Sequence, residues 1–427
     1  MARAKKEAAL TPEERLQAAL VPDWEWPYKL PENWCWVYAP HIFNIEYGKG
    51  LPTKQLSDTG YPVFGANGQI GFYSEYMYKE PQALMSCRGA YSGTMNKSLP
   101  YSYVTSNSLI ISSPRGLMGT DCIYYLFSAL NVSELISGTA QPQVTVQAFD
   151  GFPIPLSPLA EQQRIVDRIE SLFAKLDEAK EKAQAVLDSF ETRKAAILHK
   201  AFTGELTAKW REERGVSIDN WKTTRFDSVA AIRSNLVDPA EYQSFPHIAP
   251  DNIEKKTGVL LEYHTIAEDG VTSGKHRFYS GQILYSKIRP YLSKAVVVDF
   301  DGLCSADMYP IEAYQNARCL WYYMLSDEFL LQASTAGSRS VLPKINQKEL
   351  SALTLHLPTN DREQEEIARI LDELFDKEQQ TKEAAEIVLD QIDLMKKSIL
   401  ARAFRGELGT NDPSEESAVE LLKRTIL

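Results

Sequence analysis

Apolar positions recur with two periods along this chain. Over residues 161–206 they step alternately by four and three, through Ile165, Ile169, Leu172, Leu176, Ala179, Ala183, Val186 and Phe190. Over residues 363–408 the same phase returns in Ile367, Leu371, Leu374, Ala385, Val388, Ile392, Met395 and Ile399. A sustained heptad seam of this kind predicts long helices in coiled-coil packing rather than ordinary surface helices. The two stretches are also copies of one another. At a constant offset of 202 residues, 20 of 46 aligned positions are identical without a gap. About 43 helical residues at 1.5 Å each would make a rod of about 65 Å. Ser157 and Pro158 suit an N-cap and first helical position, Asn360 and Glu363 have capping-box spacing, and Gly204 and Gly406 sit where left-handed C-caps would end each helix. Glu378 and Thr381 interrupt the second seam, a device that fixes register at some cost in stability.

Elsewhere the apolar runs are short and divided by turn residues. Residues 1–22 form an arm with a helix near 11–20, capped by Thr11 and Glu14. The span 23–160 reads as a first globular domain. Asn67-Gly68 marks a hairpin within 61–73, residues 104–112 form a strand and 122–130 a helix. Trp24, Trp26, Trp34 and Trp36 open this domain as a packing lid, with base stacking the other use of such a cluster. The span 207–360 is a second domain. Residues 278–300 read as strand, turn and strand and 321–333 as a helix, while Asp219-Asn220-Trp221 echoes Glu32-Asn33-Trp34. The long helices therefore occupy 161–206 and 361–408, and residues 409–427 form a tail. The helices repeat closely and the globular domains hardly at all, so one scaffold carries two different surfaces.

Charge and composition narrow the function classes. Hydrophobic content of 44% and charged content of 24% fit a globular chain, and no apolar run approaches the length needed to span a bilayer. Five cysteines without a CxxC pair read as free thiols in a cytoplasmic protein. The second long helix holds much of the net charge of −11, with 8 basic and 13 acidic residues over 361–408, whereas 41–150 and 221–360 are near neutral. A chain of this balance that touches DNA needs a partner to neutralise much of the phosphate charge.

Catalytic motifs are absent from the sequence. There is no GxxxxGK[ST] loop, no HExxH, no Gly-x-Ser-x-Gly elbow and no Asn-Pro-Pro-aromatic tetrapeptide; Gly65, Gly68 and Gly71 belong to a turn rather than a dinucleotide fingerprint. Residues suited to recognition are present. The second domain interleaves Lys275, Arg277, Lys287, Arg289 and Lys294 with Tyr285 and Tyr291, and Arg339 lies further on. The first offers a sparser set: Arg88, Gly89, Tyr91, Ser92, Thr94 and Lys97, with Lys49 and Gln69. Arginine and lysine donate to guanine, and tyrosine and hydroxyl groups reach phosphate. Taken singly these are ordinary solvated loop residues; taken together in both domains they favour DNA contact.

The order of these features resembles the specificity subunit of type I restriction–modification enzymes over essentially the whole chain. The resemblance is carried by Pro158, Leu159, Glu161, Gln162 and Ile165 opening a helix, by Ala-Phe-x-Gly-Glu-Leu closing it at 201–206 and again at 403–408, and by the tract 61–73. In the second copy Pro358-Thr359-Asn360-Asp361-Arg362 replaces the Pro-Leu pair before Glu363. The resemblance implies a mixed α/β fold of two target-recognition domains separated by an antiparallel coiled-coil pair of the long helices. Each domain would read half of a bipartite site in double-stranded DNA, with the helices setting the spacer. It implies no catalysis and no cofactor in this chain. Two methyltransferase subunits would bring S-adenosylmethionine, and two motor-nuclease subunits ATP and magnesium. The alternative is a coiled-coil scaffold with two protein- or glycan-binding modules.

Overall fold

In the computed structural model, residues 11–336 and 343–426 are described. Helix α1 (Pro12–Ala19) starts on the expected box, Thr11 Oγ1 accepting from the Glu14 amide and Glu14 returning to the Thr11 amide. The first domain follows as β1 (Cys35–Tyr38), β2 (Asn44–Tyr47), β3 (Tyr61–Gly65), β4 (Gly68–Tyr73), β5 (Ala83–Ser86), β6 (Met95–Lys97), β7 (Tyr103–Val104), β8 (Ser108–Ser112), α2 (Thr120–Ala129), β9 (Ile136–Ser137), β10 (Gln143–Val144) and β11 (Pro153–Leu156). The first long helix is α3 (Leu159–Asp188) with α4 (Phe190–Phe202), followed by α5 (Ala208–Arg214). The second domain has β12 (Trp221–Arg225), β13 (Ala230–Ile232), β14 (Leu236–Val237), β15 (Pro246–Ile248), β16 (His264–Thr265), β17 (Lys275–Phe278), β18 (Ile283–Ser286), β19 (Ala295–Val297), β20 (Gly302–Cys304), β21 (Met308–Ala313), α6 (Ala317–Met324), α7 (Asp327–Ala336), α8 (Gln347–Ala352) and β22 (Thr354–Pro358). Helix α9 (Asp361–Ala403) and α10 (Ala418–Ile426) complete the chain.

Two compact units result, divided within the two long helices. One is the contiguous segment Gln184–Glu386; the other joins the chain up to Ala183 to the chain from Ile387 onward. Each unit thus holds half of both long helices, and in each the contacts run antiparallel. In the discontinuous unit Asp177 pairs with Lys396 at 2.5 Å and Lys180 with Asp393 at 3.4 Å. In the contiguous unit Arg193 meets Glu378 at 2.8 Å and Lys382 lies over the Phe190 ring. The repeat survives in detail: Lys396 sits over Phe173, and its counterpart Lys194 over Phe375, the counterpart of Phe173. Glu378, the expected flaw in the seam, is the residue that takes Arg193.

The seam itself differs from the heptad reading at both ends and in its second half. Ile165, Ile169, Ile367 and Leu371 are buried in the cores of the globular domains. Val388 and Met395 are exposed, while Lys396 places its ammonium 5.0 Å from the Phe173 ring centroid. Asn360 caps through the Arg362 amide, not through a box with Glu363, whose carboxylate is drawn inward. Gly204 and Gly406 do close their helices, at φ +81° and +74°. The first copy is interrupted at Ser189, whose hydroxyl bonds back to the Ala185 carbonyl. The helix expected at 321–333 is split, with Ser326 Oγ donating to the Tyr323 carbonyl and accepting the Phe329 amide between α6 and α7.

The two domains share a topology that their sequences conceal. Each contains a four-stranded sheet, β2-β8-β5-β6 in the first and β13-β21-β18-β19 in the second, and a ribbon joining its first strand to its last, β1-β11 and β12-β22. The ribbons lead into the helices, and there each unit places a buried glutamate. Glu161 accepts from Trp34 Nε1 at 2.7 Å, Asn411 Nδ2 at 2.8 Å and Thr410 Oγ1 at 3.2 Å. Glu363 accepts from Trp221 Nε1 at 3.0 Å, Thr207 Oγ1 at 2.8 Å and Arg211 at 2.7 Å. The neighbouring glutamines are buried too, Gln162 donating to the Leu117 and Ser157 carbonyls and Gln364 to Pro358 O. Residues 409–426 are consequently not a free tail: Arg164 forks onto Glu415, and Leu421 and Leu422 enter the first domain's core.

Removing one partner of a buried ion pair leaves the other uncompensated, so Glu363→Ala should cost about 3–5 kcal/mol through the stranded Arg211. Glu161 is held by neutral donors, and Glu161→Ala should cost less, about 2–3 kcal/mol. Urea unfolding of the two variants measures the difference. Lys194 allows a pH test. Burial holds its ammonium at about 8, while its Nζ donates to the Lys256 carbonyl. The folded state releases this proton before the unfolded state does, so stability gains with rising pH between about 8 and the ordinary lysine range and lacks that gain below. Melting curves of wild type and Lys194→Met should show the increment, up to about 3 kcal/mol, in the wild type alone.

Candidate nucleic-acid interface

Some of the recognition residues expected from sequence share one loop in each domain: Arg88, Gly89, Tyr91, Ser92 and Thr94 in the first, and Lys287, Arg289, Tyr291 and Lys294 in the second. In the first domain it leaves β5 at Cys87 and returns at Thr94; in the second it leaves β18 at Lys287 and returns at Lys294. Ser86 N donates to Thr94 O at 2.8 Å, and Ser286 N to Lys294 O at 3.0 Å. Cys87 N reaches Asn107 O and Lys287 N reaches Asp307 O, both at 3.0 Å. Gly89 N donates to Pro142 O at 2.9 Å, and Arg289 N to Pro343 O at 2.8 Å. Val144 N and Ile345 N then close the base of each loop on the carbonyls of Cys87 and Lys287. These are the same bonds in the same order, at offsets of 200 and 201 residues.

The backbone conformations also coincide. Gly89 and Gly93 have φ of +81° and +88°, and their counterparts Arg289 and Ser293 have +48° and +47°. Glycine enters this region freely; an L side chain is strained there. A side chain at Gly89 would meet open space, so the loop's shape, not crowding, sets the requirement.

Around these loops the candidates separate. In the first domain Lys49, Gln69, Arg88, Gly89, Tyr91 and Thr94 are exposed. Ser92 is buried with its hydroxyl on Pro142 O at 2.8 Å, and Lys97 is paired with Asp121 at 2.7 Å. In the second domain Arg289 and Tyr291 are exposed. Arg277 is half-buried, its guanidinium 4.9 Å from the Tyr279 ring and 5.3 Å from that of Tyr242. Lys287 and Lys294 are tethered, Nζ donating to Ala306 O at 2.5 Å and Pro250 O at 2.7 Å. Two expectations need correction. Tyr285 is buried beside Phe329 in the core, and Lys275 is buried with Nζ on the Ser273 carbonyl and hydroxyl, where burial lowers its pKa. Neither presents a side chain to a ligand. Arg339 lies outside the described residues.

The structure adds a feature the sequence reading missed. Tyr61, Tyr76 and Tyr101 form an exposed ring cluster, with centroids 4.9 Å apart for Tyr61 and Tyr76 and 5.2 Å for Tyr76 and Tyr101. Their spacing has no period that would have linked them. Three of the four early tryptophans are packing residues: Trp34 and Trp36 are buried, and Trp26 donates its indole to Val21 O; Trp24 is exposed. The five cysteines are buried and unbridged. Among the described residues no group of three His, Cys, Asp or Glu is placed to hold a metal ion, and no helix is long and apolar enough to cross a membrane.

Comparison with known proteins fits this arrangement of two like domains. Residues 31–187 and 218–388 each match the family described as type I restriction modification DNA specificity domain. The chain is 34% identical over 380 residues to the Type I restriction enzyme EcoDI specificity subunit of Escherichia coli, covering 82% of this chain and 83% of that one. It is 25% identical over 304 residues to the EcoKI specificity subunit of Escherichia coli K12, covering 65% and 62%. Among solved structures, the HsdS subunit from Thermoanaerobacter tengcongensis aligns with a TM-score of 0.59 at 19% identity, over 90% of this chain and all of that one. A chain from a structure on complex assembly and conformational transition of the type I R-M system aligns at 0.65, again at 19% identity and the same coverage. These two likenesses concern the fold.

The loop conformation yields a stability test. Replacing Arg289 by glycine removes a left-handed L residue from an exposed site, so Arg289→Gly should raise unfolding stability by about 1 kcal/mol. Thermal melts read this directly.

Proposed function

The chain belongs to the type I restriction–modification DNA specificity family, and from that premise we propose that it is the sequence-reading subunit of a restriction–modification complex, each globular domain reading one half of a two-part site in double-stranded DNA. The observation carrying this reading is the duplicated loop. Two domains of unlike sequence present different side chains, Arg88 in one and Arg289 in the other, from one backbone frame. Arginine on such a frame can fork onto guanine O6 and N7, the commonest specific contact in the major groove. We assign the spacer between the halves to the repeated helices.

Chemistry belongs to partners in this proposal. Two methyltransferase subunits would bring S-adenosylmethionine and methylate adenine, which requires the base to be turned out of the duplex into their pocket. Two motor-nuclease subunits would bring ATP and magnesium. The chain itself would hold no cofactor and act in the cytoplasm. Support for a docked partner comes from helix α9, where Ile387, Val388, Leu394 and Met395 leave apolar side chains exposed at helical spacing. No observation favours the alternative scaffold with protein- or glycan-binding modules.

Exchanging residues 23–160 for the corresponding domain of a relative should change one half of the methylated motif and leave the other, as read by sequencing modified adenines; a change in both halves would sink the modular reading. Leu394→Asp with Met395→Asp should abolish co-purification of the methyltransferase while leaving the chain folded, checked by pull-down and circular dichroism.

A further inference from the structure

The two loops share a frame, and within it they share one side chain. Across 87–94 and 287–294 the paired residues are Cys87 and Lys287, Arg88 and Ile288, Gly89 and Arg289, Ala90 and Pro290, Tyr91 and Tyr291, Ser92 and Leu292, Gly93 and Ser293, Thr94 and Lys294. Seven pairs differ and the tyrosine alone is common. Its two copies are exposed to the same degree, 51% for Tyr91 and 48% for Tyr291, so neither is retained as a core residue.

We infer that the loops divide their work: Tyr91 and Tyr291 anchor each domain to the DNA phosphate backbone, while Arg88 and Arg289 read bases. The inference rests on the half-site function proposed above. A residue common to two domains that read different sequences has to meet something both half-sites possess, and the phosphate backbone is what any two DNA sequences share. A phenol hydroxyl is suited to that, since it donates one hydrogen bond to a phosphate oxygen at little conformational cost. Arg289 carries the opposite signature. It occupies a left-handed position where the first domain has glycine, and its exposed side chain is kept despite strain that glycine would remove. Strain held at the surface without a packing return points to a ligand contact. Arg88 stands one residue earlier, so the two domains aim their guanidinium groups from adjacent points of the frame.

The test uses the full chain assembled with its methyltransferase subunits. Modified-adenine sequencing first defines the wild-type motif; if that motif is not in two parts, the proposed function falls and this inference with it. Given a two-part motif, binding is measured by fluorescence anisotropy on duplexes carrying every single-base change. Tyr91→Phe and Tyr291→Phe should weaken binding severalfold to all duplexes alike. Arg289→Gly and Arg88→Ala should each lower cognate affinity by roughly 5- to 150-fold and relax one position, in opposite halves of the motif. Thermal melts keep the reading clean, because Arg289→Gly leaves the loop's preferred backbone intact. Uniform weakening by the arginine variants, a base preference altered by the tyrosine variants, or no effect of the tyrosine variants would each overturn the division of labour.

Discussion

A buried carboxylate at the start of each long helix is the contact on which the rest of each unit depends. Glu161 and Glu363 are fully buried, and each gathers an indole from the start of its domain's first strand, Trp34 just before β1 and Trp221 at the head of β12, and donors from the chain that follows the other helix. Burying an ionised group is costly unless donors meet it; the three that reach Glu363 all go to Oε1, while its Oε2 is buried without a hydrogen-bond partner among the described residues. That cost turns three separate segments into mutual conditions: the helix start, the tryptophan and the connector must be in place together. The amphipathic helices would pair in several registers on apolar contacts alone. The carboxylates, with Lys396 on Asp177 and Arg193 on Glu378, select one.

The same physics explains what was legible from sequence. The duplicated helices and their glycine ends were readable because heptad period and left-handed caps are local properties. The role of Glu363 was not. Its spacing from Asn360 satisfies the capping-box pattern, but the carboxylate goes to Trp221 and Arg211, partners far away in sequence. The echo between Asn33-Trp34 and Asn220-Trp221 was the visible trace of that arrangement. Val388 and Met395 fall outside the seam because the apolar stripe of α9 is wider than its contact face, and at Phe173 the neighbour is the Lys396 ammonium over the ring.

Among the candidate contacts, strand residues were harder to place than loop residues. Strands β17 and β18 are covered on both faces, so alternation of polar and apolar positions gives no sign of which side chains reach the surface. Lys275 and Tyr285 lie on those strands and turned inward. Arg88, Tyr91, Arg289 and Tyr291 lie where the chain leaves the sheet, and there exposure followed from turn chemistry. The common loop frame was invisible because its hydrogen bonds are made by backbone atoms, which place no demand on side-chain identity beyond the left-handed positions. One domain meets that demand with glycine and the other does not.

The discontinuity of one unit bears on the order in which the protein is made. Gln184–Glu386 closes on itself, its carboxylate finding Thr207, Arg211 and Trp221 within the same segment. The other unit needs Thr410 to reach Glu161 across 249 residues of chain. Domains form as units while synthesis proceeds from the N-terminus. The first domain to leave the ribosome is therefore the last to be completed, with Glu161 and Trp34 waiting for Asn411 while the second domain is already closed. A chain whose synthesis stops before residue 410 would hold a finished second domain and an unfinished first one.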